Sequence, residues 1–212
     1  MSKVLLINGS PHAAGCTYTA LREVADTLEK NGIAAEIHQL GVKPIAGCIA
    51  CGACERLGKC AFGDKDGVNT IAARLDEFDA LVVGSPVYYG GPAAQLCAFL
   101  DRLFYSAGDK MAGKLGAAVV SCRRGGSTAS FDRLNKYFTI SNMHVVGSQY
   151  WNQVHGFTAE DVRRDAEGMQ TMRVLGQNMA WLLKSIEAGR QAGVEPPVYE
   201  PHVFTHFHNI EG

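Results

Sequence analysis

No apolar run in this chain reaches membrane-spanning length, and neither sign of charge predominates: 20 lysines and arginines stand against 21 aspartates and glutamates. The first absence predicts no transmembrane helix. The second gives no reason to expect nucleic acid or an anionic membrane as partner. Internal repeats and low-complexity tracts are missing too. So are a Ser-His-Asp set, a metalloprotease helix motif and a paired acid/base site, which removes the common hydrolytic chemistries. MSK leads straight into a strand-like segment, so no signal peptide is expected and the protein reads as cytoplasmic.

Cysteine, by contrast, is plentiful. There are seven, an odd number, and Cys48, Cys51, Cys54 and Cys60 fall within thirteen positions of the glycine-punctuated stretch GCIACGACERLGKC. A secreted disulfide framework would normally be a smaller chain with dispersed, even-numbered cysteines. Four thiols this close make a metal cage, a redox pair with spares, or a merely reactive loop. Their surroundings have to decide.

At 212 residues, 47% hydrophobic and 19% charged, the chain has material for one domain with a sizeable core. Strand and helix signals alternate along it. Val4-Leu5-Leu6-Ile7 is an apolar run typical of strands buried on both faces. Leu21, Val24, Ala25 and Leu28 recur at helical spacing, with Asn31-Gly32 as a stop. Ala34–Leu40 is a second, alternating strand, and Val68, Ile71, Ala72 and Leu75 mark a second helix.

Ala80–Val83 is another apolar strand, followed by a helix whose stripe is Leu96, Phe99, Leu100 and Leu103. Gly116–Val120 and Met143–Val146 read as the fourth and fifth strands, with Phe131, Leu134 and Phe138 on the helix between them. Thr158 with Asp161 resembles a capping box opening one long last helix with Met172, Leu175, Met179, Leu182 and Ile186 on its stripe. The five strands, each separated by a helix, predict an α/β doubly wound parallel sheet with helices on both faces. Residues 1–188 form the expected domain, with a cysteine-rich insertion at 44–65. From Gly189 a Pro/aromatic tail (189–212) is predicted to leave the helix, with Tyr199, Phe204 and Phe207 against a surface.

In such a sheet, ligands bind beyond the carboxyl ends of the strands. Three loops there carry suitable chemistry. Gly9–Thr17 offers small residues, hydroxyls and a helix N-terminus, which favours an anion. It holds no lysine, so it is not a Walker A loop, and it lacks the G-x-G-x-x-G of a dinucleotide fold. Strand two ends in His38-Gln39-Leu40, with no acidic residue for a ribose. What remains is one terminal phosphate held by neutral groups, as for a mononucleotide such as FMN.

The second loop, Ser85–Pro92, places Tyr88 and Tyr89 where they can offer flat surface to an aromatic ring. The third, Ser121–Thr128, has glycines for close approach and Arg123 and Arg124 for negative charge on a reduced flavin.

INGSPHAAGCTYTAL, GSPVYYGGPAAQLCAFLDRLF and the four-cysteine segment together resemble the iron-sulfur flavoproteins, in the NAD(P)H-dependent FMN reductase branch of the flavodoxin-like superfamily. The resemblance covers roughly residues 1 to 185 and implies a sheet order of 2-1-3-4-5. It implies phosphate ligands Ser10, His12, Gly15, Cys16 and Thr17, with Pro86, Val87, Tyr88, Tyr89 and Gly90 bordering the ring and ribityl chain. Ser121, Arg123, Arg124 and Gly125 would close the other side. Two departures stand out: many relatives have arginine in place of His12 and asparagine in place of Cys16, which implies a phosphate grip sensitive to protonation.

The family's compact motif holds a [4Fe-4S] cluster, and here the spacing is C-x2-C-x2-C-x5-C. A cubane needs four thiolates, and closely spaced cysteines let one loop wrap it. Zinc is the principal rival, although zinc sites usually hold two separated C-x2-C pairs. A redox-active or unmetallated thiol loop is the third reading. Cys97 and Cys122 read as small buried apolar residues, and His202, His206 and His208 as tail packing rather than a metal site.

The expected function is that of an FMN redox flavoprotein, an NAD(P)H-dependent oxidoreductase passing electrons between FMN and a [4Fe-4S] cluster. The alternatives are a non-catalytic electron carrier and a cluster-free FMN-dependent reductase of quinones or another small molecule. Expected partners are a small-molecule or protein electron donor and acceptor, and further copies of the chain in a homodimer or homotetramer with FMN near the interface.

Overall fold

A computed structural model describes residues 2–205. His206, Phe207 and His208, named above for the tail, lie outside the described residues. The centre of the sheet is β1 (Lys3–Asn8), β3 (Ala80–Tyr88) and β5 (Leu115–Cys122), all parallel. β2 (Ala34–Gln39) flanks β1 on the outside, and β6 (His144–Val145) continues the sheet beyond β5.

Alternation along the strands builds two cores. Leu5, Ile7, Leu81, Val83, Ala118 and Val120 face α3 (Val68–Arg74), α4 (Ala94–Ala107) and α5 (Ser127–Ile140). Val4, Leu6, Ala80, Val82, Ala117 and Val119 face α1 (Cys16–Lys30) and α7 (Ala166–Gln191). Each of these Val, Leu or Ile side chains contributes about 1.5–3 kcal/mol on burial. The continuous apolar runs thus arise from a sheet covered on both faces. α1 stops where expected, at Asn31 followed by Gly32 with φ 75°.

The strand count is corrected. Among the described residues the sheet has seven strands, its main path is β2-β1-β3-β5-β6, and the expected five-stranded order 2-1-3-4-5 does not describe it. Two short strands account for the difference. β3 runs on to Tyr88 and folds back as β4 (Gly91–Pro92), an antiparallel pair with Val87 opposite Pro92. The expected fifth strand at 143–146 shrinks to β6, and β7 (Gln153–His155) takes over beside the carboxyl half of β5.

The long last helix is also corrected. Thr158 and Asp161 do form a capping box, but it opens a short α6 (Ala159–Arg164). The Asp165 carboxylate accepts from Gly168 N at 3.0 Å and from His155 N at 2.6 Å, so the chain turns there and helix restarts as α7. α7 passes through Gly189 to Gln191, where the tail was expected to have begun. One interior glycine costs a helix only about 1 kcal/mol, and the left-handed Gly193 (φ 83°) ends it instead. Val194, Pro196, Pro197 and Tyr199 of the tail lie beside Leu182 and Ile186 of α7.

Candidate functional site

Because β1, β3 and β5 are parallel, the loops after Asn8, Tyr88 and Cys122 emerge on one edge of the sheet. The first loop is held from beneath by two residues not singled out from sequence. Buried Asn8 accepts from Ser10 N through Oδ1 at 3.1 Å, and its Nδ2 donates to His12 O and to Gln39 Oε1. Gln39 Nε2 donates to Ser10 O at 2.6 Å. Where a dinucleotide fold would place an acid for the ribose, this chain uses an amide to set a loop.

Ser10 is buried and its Oγ accepts from His12 N at 3.2 Å, while the His12 side chain itself is exposed. Gly15 opens α1 without a side-chain cap, so the first-turn N–H groups have no side-chain partner. Cys16 turns its thiol to Gly156 O at 3.7 Å, and burial pushes that thiol's pKa up. Its backbone N–H, rather than its sulfur, belongs to the loop.

The first and third loops meet at buried Thr17 and Ser121, whose hydroxyl oxygens are 2.8 Å apart. The second and third meet at glycines. Gly126 has φ 92°, and a Cβ there would stand 2.7 Å from Gly90 Cα and 2.8 Å from Val87 Cγ1. By sequence the third loop has two glycines for close approach, but the expected site included Gly125 and not Gly126. Its signal was the Gly-Gly pair ahead of a helix.

Tyr89 and Gly90 are the tip of the β3–β4 hairpin, with φ 51° and 77°. Positive φ at both central positions is the pattern of a type I′ turn, and it strains a bulky aromatic such as Tyr89. That ring is fully exposed, and Tyr88 is half-exposed behind it. Arg123, Arg124 and Gly125 are exposed at the tip of the third loop. Pro86 lies opposite Ser121 in the register of β3 and β5, so second-loop and third-loop residues sit side by side.

The segment before β7 borders this edge as well. Tyr150 and Trp151 pack ring against ring at 4.8 Å, both half-exposed. Asn152 beside them is buried, with Nδ2 unpartnered.

The four clustered cysteines lie elsewhere, between β2 and α3, around α2 (Ala53–Leu57). Left-handed residues at Ala50 (φ 51°), Gly52 (65°) and Gly58 (65°) fold the segment back on itself. Cys48, Cys51, Cys54 and Cys60 all border one cavity of about 60 Å³, with Phe62, Arg102 and Tyr105. Every cysteine among the described residues is a free thiol. No group of three or more thiols, imidazoles or carboxylates among the described residues converges closely enough to grip an ion. The cysteines border the cavity without closing on it.

Two side chains from the body of the fold fix this segment, and neither was found by sequence reasoning. Asn69 of α3 accepts from Cys60 N at 2.9 Å and donates to Cys60 O at 2.9 Å and Gly63 O at 3.0 Å. Arg102 of α4 donates from Nε to Cys60 Sγ at 3.1 Å. Arg102 stands three residues after Phe99, on the core-facing stripe. A charge in that register was the available signal.

With this geometry in place, comparison with known proteins is decisive about family. The family described as NADPH-dependent FMN reductase matches residues 2–158. The chain belongs to that family. It is also similar to proteins named iron-sulfur flavoproteins. One from Methanocaldococcus jannaschii is 34% identical over 193 residues, which are 87% of this chain and 99% of that protein. Another, from Methanosarcina thermophila, is 27% identical over 192 residues, covering 89% and 98%.

Among solved structures, a WrbA-like flavodoxin from Agrobacterium tumefaciens superposes with a TM-score of 0.61 at 19% identity, over 87% of this chain and 99% of that one. The NAD(P)H:quinone oxidoreductase from Methanothermobacter marburgensis superposes with a TM-score of 0.62 at 15% identity, over 84% and 96%. At such identities the likeness speaks for the fold alone, which is flavodoxin-like α/β.

The residues present fit the flavin that this family name implies. For a flavin phosphate there is an uncapped helix start beside buried Ser10 and Thr17, and for its ring there are the exposed hairpin tip and third-loop tip, which pack on each other where Gly126 meets Gly90. The cysteine segment offers only donor chemistry of the kind a metal cluster uses: four free thiols border one cavity, and two of the sulfurs accept N–H bonds, Cys48 from Ala50 N at 3.5 Å and Cys60 from Arg102. Among the described residues no helix is long and apolar enough to cross a membrane.

Proposed function

We propose that this member of the FMN reductase family is an FMN-dependent oxidoreductase that accepts electrons from NAD(P)H, with Cys48, Cys51, Cys54 and Cys60 holding a [4Fe-4S] cluster. The observation that carries the reading is the closure of three loops on one another at the sheet edge. Thr17 to Ser121 joins the first to the third, and Gly90 against Gly126 joins the second to the third. Flavin, when bound, supplies hydride acceptance and one-electron release, and the cluster supplies one-electron storage.

The chain's own residues supply binding and electrostatics. Ser10, His12, Gly15, Thr17 and the backbone of Cys16 hold the phosphate through hydroxyl and N–H donors at the α1 start. Pro86, Val87, Tyr88, Tyr89 and Gly90 border the ring and ribityl chain on the hairpin side. Ser121, Arg123, Arg124 and Gly125 close the other side, and the guanidinium groups favour added negative charge on the ring. No side chain is assigned a proton-transfer role.

The part of the chain up to the end of α7 at Gln191 constitutes the flavin-binding unit in this reading, with 44–65 as the cluster-bearing insertion and the segment after Gly193 as an appended tail. The exposed aromatics beside the loops, Tyr89, Trp151 and Phe157, support a homodimer or homotetramer with the flavin near the subunit contact.

The test is anaerobic purification followed by absorption spectroscopy, flavin and metal assays, and NAD(P)H oxidation with a quinone or ferricyanide as acceptor. The expected result is flavin bands with a broad cysteinate-to-iron shoulder, about four irons per chain, and acceptor-dependent NAD(P)H oxidation. Colourless protein that stays apo in excess FMN overturns the flavin reading. Zinc, or no metal, overturns the cluster. Reduction only by another redox protein favours an electron carrier.

A further inference from the structure

Arg102 is the largest side chain wholly inside the described residues, with 1% of it exposed. A guanidinium there loses its hydration, and that cost is met only if each donor finds a partner. Its partners are few and directed. Nη1 and Nη2 pair with the Asp66 carboxylate, Nη1 also reaches Ala46 O at 3.3 Å, and Nε donates to Cys60 Sγ at 3.1 Å. The Phe62 ring covers the guanidinium 4.8 Å away. Water is thereby excluded from the side on which bulk solvent would otherwise screen the charge.

Simple anchoring of the loop would not require this. Asn69 already bonds both backbone groups of Cys60, using a neutral amide. What Arg102 adds is a fixed, desolvated positive charge, paired with the Asp66 carboxylate, whose Nε–H is aimed at a sulfur rather than at the backbone. A hydrogen bond between charged partners is roughly twice as strong as a neutral one, and it strengthens as the sulfur becomes more negative.

We propose that Arg102 sets the reduction potential of the metal cluster by donating a charged hydrogen bond to the Cys60 ligand, with Asp66 partly offsetting its field. This rests on the proposed [4Fe-4S] site. The couple is a one-electron one: the oxidised cluster gains an electron from a reductant such as dithionite, with no bond made or broken, and the added charge spreads onto the ligand sulfurs. The Arg102 dipole and charge favour the more negative, reduced form and so raise the potential. Asp66 acts in the opposite sense.

The experiment is an EPR-monitored anaerobic redox titration of the wild-type chain and of R102Q, R102K and D66N, with iron content and far-UV circular dichroism measured on each. R102Q is expected to lower the midpoint by an amount equivalent to about tenfold in the one-electron equilibrium constant, ~59 mV. R102K, which keeps the charge, is expected to fall between R102Q and wild type. D66N is expected to move the midpoint upward, a sign that a merely structural role for the pair does not produce.

If R102Q retains full iron and an unchanged midpoint, the inference is overturned. If R102Q loses iron, D66N decides: an upward shift supports the inference and an unmoved midpoint overturns it. Loss of iron from all three variants makes Arg102 purely structural and overturns it too. A wild-type chain that takes up no iron overturns the cluster reading itself, and this inference with it.

Discussion

The hydroxyls of Thr17 and Ser121 lie 2.8 Å apart across 104 positions of sequence, joining the start of α1 to the end of β5 beneath the proposed phosphate site. Replacing Thr17 by valine keeps the shape and leaves Ser121 without its partner. The expected cost is about 1 kcal/mol in urea unfolding, with weaker FMN binding in a fluorescence titration. S121A should lose a similar amount, and the double variant less than the sum. Strict additivity would show that the pair does not couple the loops.

Gly126 allows the third loop to lie on the hairpin tip. G126A would place a Cβ 2.7 Å from Gly90 Cα at a φ of 92°. The expected outcome is about 1–3 kcal/mol of destabilisation from backbone strain, with at least tenfold weaker FMN affinity. Wild-type affinity in a folded G126A protein would remove the glycine contact from the site.

Arg123 and Arg124 are exposed, so the double variant R123Q/R124Q should leave stability within about 0.5 kcal/mol. Its effect is expected on the flavin, whose reduced, more negative form loses two favourable charges. A spectroelectrochemical titration should show a lower FMN midpoint. An unmoved midpoint would detach these arginines from the ring.

Asn69 satisfies Cys60 N, Cys60 O and Gly63 O at once. N69A leaves those groups without their partner, at about 1–3 kcal/mol for a buried unsatisfied group. Iron retained after anaerobic reconstitution and desalting should fall relative to wild type. Full retention would mean that the cysteine loop needs no support from α3.

Glu36 carries a pH dependence of stability. Hydrogen bonds from Arg74 (2.7 and 2.9 Å), and secondly from Lys3 (2.8 Å), lower its pKa to about 2. Because the folded value lies below the unfolded one, the stabilisation is complete above the unfolded pKa of about 4.3 and is lost as pH falls toward 2. These side chains are about a third exposed, and solvent screening limits the network to about 1 kcal/mol. E36Q should therefore be less stable by about that amount at pH 7, with the gap narrowing steadily below pH 4 in thermal melts. A constant gap across that range would rule out the ion-pair account.

Much of the fold was legible because burial on both faces leaves a local mark. Val4–Ile7, Ala80–Val83 and the stripe of α1 could be read directly, since each strand or helix must present apolar groups wherever it meets another layer. Short or interrupted elements were harder. Two-residue β4 and three-residue β7 exist through pairing with β3 and β5, so no run of their own residues announces them, and β6 keeps only two residues of the apolar run at 143–146. The break between α6 and α7 likewise depends on Asp165 accepting from His155 N ten positions earlier.

The sequence alone determined the family, the loops that meet at the sheet edge and the cysteines that crowd one segment, because glycine, hydroxyl and thiol spacing is local chemistry. Only the tertiary structure decided what supports them: Asn8 with Gln39 under the first loop, Gly126 against Gly90, and Asn69 with Arg102 on Cys60. Those partners are far apart in the chain or unremarkable in type. Their roles come from strand register and helix packing, which bring distant backbone and side-chain groups within hydrogen-bond reach.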